Sequence, residues 1–115
     1  MVERLDNQTV EIWTEARQGW YLRDSEAGRP AIEKTYVFVD YNAAIGFMMR
    51  VALVAERCNH HPDIYNQYKR VTIIWSSHSA GGVTNLDIDL AERTDRRRNI
   101  LYSYPLGPYY RLPLF

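Results

Sequence analysis

The sequence predicts an α+β domain of order α-β-β-α-β-β-α, in which a four-stranded antiparallel sheet carries its helices on one face. Three observations lead there. Pairs of short alternating segments are interleaved with single helical ones, a pattern that folds as hairpins packed against a helical layer. One segment, 41–57, is long, strongly apolar and free of proline. The chain has 115 residues at 46% hydrophobic content, enough for one modest core in one domain.

Residues 5–17 place Leu5, Val10, Ile12, Trp13 and Ala16 at roughly helical intervals. The Val10, Trp13 and Ala16 spacing suits a short amphipathic helix, with Gly19 as its stop. A strand over 20–24 runs into a turn at 25–30, marked by Gly28 and Pro30. Residues 31–39 alternate Ile32, Thr35, Val37 and Val39 against Tyr36 and Phe38, so 20–39 reads as a hairpin. Asp40 is suited to cap the helix over 41–57. On that helix Ala44, Met48, Val51 and Ala55 share one face, while Phe47, Met49 and Leu53 fall on others. A sheet buries one side of such a helix, so the rest implies a partner surface and self-association. After a loop at 59–62, residues 64–65 and 71–76 form a second hairpin. Gly81-Gly82 make a loop, and Thr84 caps a last helix over 86–98.

The domain is thus expected over 1–98. Residues 99–115 form a distinct extension, since the stretch from 101 holds three prolines and four tyrosines. Fourteen basic and 14 acidic residues cancel, which argues against broad electrostatic capture of nucleic acid or of an anionic membrane. The run Arg96-Arg97-Arg98 reads as a solvated helix face. No apolar stretch is long enough to span a bilayer, and Glu3, Arg4 and Asp6 do not read as a secretory signal. The single cysteine, Cys58, cannot form an internal disulfide. A cytoplasmic protein is expected, with the nucleus also open to it.

All three histidines lie between positions 60 and 78. His60 and His61 follow the apolar helix, and Pro62 biases His61 toward extended backbone, so the two rings project apart and can flank a ligand. His78 opens the loop after the last strand and can return to them. Glu56 and Asp87 stand on the flanking helices, where either can orient or charge an imidazole. Such a cluster suits proton transfer at neutral pH. Two other readings stay open on the residues alone. Cys58 with the histidines could hold zinc, although their crowding does not fit structural-zinc spacing, and Cys58 with a histidine could form a nucleophilic pair.

The motif Glu56-Arg57-Cys58-Asn59-His60-His61-Pro62, followed by Tyr68, His78 and Asp87, resembles the signature of the pterin-4a-carbinolamine dehydratases. Tyr36-Val37-Phe38-Val39-Asp40-Tyr41 is similar to the family's aromatic strand running into its long helix. Val54-Ala55, Gly81-Gly82-Val83-Thr84 and Leu90-Ala91 extend the match to residues 5–95. Two departures are Ile64-Tyr65, where many members carry a tryptophan-led pair, and the tail.

The resemblance implies removal of water from a 4a-hydroxytetrahydropterin to give the quinonoid dihydropterin, within tetrahydrobiopterin recycling, without metal or cofactor. It implies that His61 and His78 act as general acids at the C4a hydroxyl. His60 then helps bind the pterin and accepts or relays the N5 proton. These roles are interchangeable on the sequence. Glu56 would raise histidine basicity and Asp87 would orient His78, while Pro62, Ser77, Ser79 and Ala80 line the ring. A homodimer or homotetramer is implied, dimers joining sheets edge to edge. Some animal members also bind a homeodomain transcription factor, so a non-catalytic scaffold or coactivator of the same fold is the alternative. No direct nucleic-acid or membrane partner is expected.

Overall fold

The computed structural model describes residues 3–24 and 28–99. Its elements run α1 (Asn7–Glu15), β1 (Tyr21–Asp24), β2 (Pro30–Val37), α2 (Tyr41–Cys58), β3 (Asp63–Gln67), β4 (Arg70–Trp75) and α3 (Asn85–Arg97). The strands form one antiparallel sheet in the order β1-β2-β4-β3. The fold is therefore the α+β arrangement that the sequence predicts, with element ends shifted by a few residues. The expected extension, apart from Asn99, lies outside the described residues.

The register explains the core. Ile32 pairs with Trp75, and Tyr36 with Val71, so these four share a face with Ile73 and are fully buried against α2 and α3. On the opposite face Thr35 and Thr72 pair hydroxyl to hydroxyl at 2.8 Å. One grouping in β2 is corrected: Ile32, set by the sequence reading with Thr35, Val37 and Val39, faces inward with Tyr36, while Val37 and Val39 are 49% and 84% exposed. Burying Tyr36 and part of Phe38 removes more apolar surface than burying two valines. The Tyr36 hydroxyl donates to Asp95, which also accepts from Trp20 Nε1 at 3.0 Å and Lys34 Nζ at 2.8 Å. Burial, reinforced by the Asp95 bond, holds the Tyr36 phenol well above its usual pKa.

The helices follow their caps. Asp40 accepts from Ala43 N at 2.8 Å, opening α2 as expected. Ala44, Phe47, Val51, Val54 and Ala55 of α2 are buried, so Phe47 joins the inward face and Met48 sits at its border. Met49 and Leu53 stay exposed. In α1 the inward residues are Val10 and Thr14, with Trp13 half-buried, whereas Ala16 is exposed and serves as the C-cap. Arg98 is drawn from the expected solvated run over the Tyr36 and Phe38 rings.

Asp6 caps α1 by accepting from Thr9 N at 2.8 Å, and this bond lowers its carboxyl pKa below the ordinary value. A carboxyl depressed in the folded state stabilises fully above its unfolded pKa and loses that contribution as pH falls through the folded one. The urea midpoint of wild type should therefore exceed that of Asp6→Asn near neutral pH and converge with it in acid. A gap that does not change with pH would contradict the charged cap.

Candidate active site

The end of α2, the loop after β4 and the start of α3 meet at one cleft. Asn59 ends α2 in the left-handed conformation, φ 49°, which asparagine tolerates better than most residues. The chain turns there, His60 N bonding back to Ala55 O at 3.1 Å, and His60 and His61 leave the helix in different directions. On the other side, Ser77 and Gly82 form a bridge, with Ser77 N to Gly82 O at 2.8 Å. That bridge closes a short loop carrying His78, Ser79, Ala80 and Gly81, and Gly81 supplies the positive φ of 75°.

The cleft between these segments has a volume of about 520 Å³. His60, His61 and Pro62 line one wall, and Ser77, His78, Ser79 and Ala80 line the other. Asp63, Ser76, Thr84 and Leu86 complete the lining. The volume lies in the usual range for a small-molecule site. Glu56 and Asp87 stand behind the histidines rather than in the lining.

His60 is the most firmly held. Its Nε2 lies 2.6 Å from Asp87 Oδ1, and its ring stacks on Trp75 with centroids 5.8 Å apart and planes 9° apart. Asp87 is completely buried. Its Oδ2 accepts from Ser77 Oγ at 2.7 Å, Thr84 N at 2.8 Å and Thr84 Oγ1 at 3.1 Å, leaving Oδ1 to His60. Asp87 also forms the capping box of α3 with Thr84, so one carboxylate starts the helix and orients the imidazole. A carboxylate on Nε2 selects the Nε2–H form and leaves Nδ1 for a ligand.

His61 has the same kind of partner in a wetter setting. Its Nε2 is 2.8 Å from Glu56 Oε1, with the two side chains 58% and 78% exposed. His78 differs. Its Nε2 is 2.9 Å from the Arg29 guanidinium, and among the described residues no carboxylate is on that nitrogen. The expectation that Asp87 orients His78 is thus corrected to Asp87 orienting His60. The cause is the alternation of the chain after β4: Ser77 turns inward to Asp87, and Ser76 and His78 turn to Arg29.

Tyr68, part of the motif, lies at the β3–β4 turn with φ 51° and is absent from the cleft lining. Cys58 is half-buried, its sulfur 4.0 Å from Arg93 Nη1. Among the described residues no three histidine, cysteine, aspartate or glutamate side chains gather in a metal-binding arrangement. Nor is any described helix long and apolar enough to cross a membrane. Sequence reasoning missed Trp75 and Arg29 as members of the site. Trp75 was legible only as a strand residue, and Arg29 reaches His78 across the sheet from 49 positions away.

Comparison with known proteins agrees with this geometry. A family model described as Pterin 4 alpha carbinolamine dehydratase matches residues 3–97. A protein of Rhodopseudomonas palustris (strain HaA2), which carries a pterin-4-alpha-carbinolamine dehydratase name, is 50% identical over 91 residues, 79% of this chain and 87% of its own. A crystal structure of a transcriptional coactivator/pterin dehydratase from Brucella melitensis is 37% identical, with TM-score 0.76, and covers 84% of this chain and 100% of that one. A pterin dehydratase-like protein, identified as a RuBisCO assembly factor in the alpha-carboxysome, shares the fold at TM-score 0.59 and 20% identity over 71% of this chain and 92% of its own. With residues 3–97 matched by the family model and a relative 50% identical over 79% of the chain, the chain belongs to the pterin-4a-carbinolamine dehydratase family.

Proposed function

We propose that this chain dehydrates a 4a-hydroxytetrahydropterin to the quinonoid dihydropterin by histidine acid–base catalysis, in tetrahydrobiopterin recycling. The observation that carries the reading is that three imidazoles face one cleft, two of them backed by carboxylates on the far ring nitrogen. The reaction needs a proton delivered to the C4a hydroxyl, so that it leaves as water, and a proton removed from N5. No electrons are exchanged, so the chemistry calls for neither metal nor redox cofactor.

In this reading His61, as imidazolium against Glu56, gives its Nδ1 proton to the leaving hydroxyl. His78 donates to the same hydroxyl from the other wall. His60 accepts the N5 proton at Nδ1, and the imidazolium so formed is stabilised by Asp87, as a buried carboxylate stabilises the histidine of a hydrolytic triad. The proton gained by His60 matches the one lost by His61, and exchange with solvent restores both. Pro62, Ser77, Ser79 and Ala80 bound the pterin ring.

The dehydratase unit spans 1–98, with 99–115 as an extension, and works in the cytoplasm. It self-associates as a dimer or tetramer: Met49 and Leu53 leave an apolar strip on α2, and β3 is an edge strand of the sheet among the described residues.

The test is stopped-flow loss of chemically generated 4a-hydroxytetrahydropterin in the presence of a metal chelator. Acceleration over buffer by a catalytic amount of protein is expected. A folded protein with no acceleration would replace this reading with that of a non-catalytic scaffold.

A further inference from the structure

Arg29 is not part of the motif by which the chain resembles its family, yet it holds one of the three histidines. Continuing the β2–β4 register past the Ile32–Trp75 pair sets Pro30 opposite Ser77 and Arg29 opposite His78. Pro30 favours extended backbone at Arg29, which keeps its side chain directed across the sheet. Its Nε donates to Ser76 Oγ at 3.0 Å, and that hydroxyl donates in turn to Pro30 O at 2.7 Å. Its Nη2 lies 2.9 Å from His78 Nε2. The guanidinium is therefore held by Ser76 and His78, alternate residues of the chain just after β4, and its planar fork fixes the direction of both bonds.

A guanidinium has donors and no acceptor, so it can bond His78 Nε2 only while that nitrogen keeps its lone pair. The ring proton must then be on Nδ1. His60 and His61 carry the opposite arrangement, because carboxylates on their Nε2 atoms call for a proton there. We infer that Arg29 is a positioning residue that fixes His78 as the Nδ1–H tautomer, a neutral hydrogen-bond donor to the pterin, and so sets it apart from the two proton-exchanging histidines. A neutral imidazole acting as electrophile rather than as acid has precedent in triosephosphate isomerase. His78 is thereby refined from the general acid expected on resemblance to a fixed donor that polarises the leaving hydroxyl while His61 supplies its proton. This role rests on the dehydratase reading, whereas the tautomer itself does not.

The experiment separates the two. Long-range ¹H–¹⁵N correlation spectra of the full chain with ¹⁵N-labelled histidine, assigned with a His78→Gln variant, should show Nδ1 of His78 protonated and Nε2 bare near neutral pH. In Arg29→Ala the His78 signals should move toward the Nε2–H form usual for free imidazole. Stopped-flow kcat should fall on the order of tenfold with KM little changed, because the donor acts mainly as the hydroxyl leaves. Arg29→Lys, which keeps a donor but not the fork, should recover part of both effects. An Nε2–H or doubly protonated His78 in wild type would overturn the inference, even if Arg29→Ala fails to fold. A folded Arg29→Ala with unchanged tautomer would overturn it too, and one with shifted tautomer and unchanged kcat would overturn its catalytic half. A wild type with the Nδ1–H signature but no turnover would refute the dehydratase reading and leave Arg29's grip on the ring established.

Discussion

His61→Ala should dehydrate the hydroxypterin about 10²-fold more slowly than wild type, the scale of losing one acid–base group. That factor corresponds to about 2.7 kcal/mol of transition-state stabilisation. Its thermal midpoint should stay at the wild-type value. The two halves of this expectation share one cause. His61 and Glu56 are both largely exposed, and exposed ion pairs contribute little to stability. Removing the ring therefore leaves no buried group unpaired, and lost turnover cannot be attributed to lost fold. Glu56→Gln should lose less, since its amide oxygen can still accept from His61 Nε2 and keep the ring in place. Undiminished turnover in a folded His61→Ala protein would remove His61 from the chemistry.

Asp87 should behave in the opposite way. Alanine there deprives His60, Ser77 and the Thr84 backbone and hydroxyl of their shared, fully buried acceptor. The expected cost is several kcal/mol, since each buried donor left without an acceptor costs about 1–3 kcal/mol. For a domain of this size that is a large part of total stability. Asparagine is the more informative replacement. It keeps the size and one carbonyl acceptor, but its amide can face His60 only by giving up the preference for Nε2–H or by leaving Thr84 and Ser77 unpaired. Asp87→Asn should therefore melt lower than wild type yet fold, and its kcat should fall on the order of 10²-fold. Denaturant curves beside single-turnover kinetics measure both. An Asp87→Asn protein with wild-type kcat would show that Asp87 serves only the helix start.

Most of the fold was legible because its signals are local. Asp40 before an apolar run, Thr84 three residues ahead of Asp87, and the glycines of the 81–82 loop each act within one turn of chain. Their caps and turns appear in the structure. The inward face of β2 was not legible in that way. Alternation alone permits either parity, and the choice went to Tyr36 and Phe38 because Phe47 and Asp95, supplied by α2 and α3, receive them. Likewise Ala16 and Thr14 compete for the inner side of α1, and packing selects Thr14.

The site divides on the same line. Sequence by itself placed His60 and His61 side by side beyond a helix end and His78 at a strand-to-loop transition, and left it to the fold to bring His78 back to them. It also determined that Glu56 would be near them, since a carboxylate in the last turn of a helix is held close to the residues that leave it. Only the tertiary structure decided which histidine each charged group serves. Asp87 is 27 residues from His60 and Arg29 is 49 from His78, separations that place no constraint on contact until β2, β4 and α3 are packed. Hydrogen bonds to an imidazole depend on distances of a few tenths of an ångström and on which side of a strand a residue faces, and those are properties of the assembled sheet rather than of any segment in it.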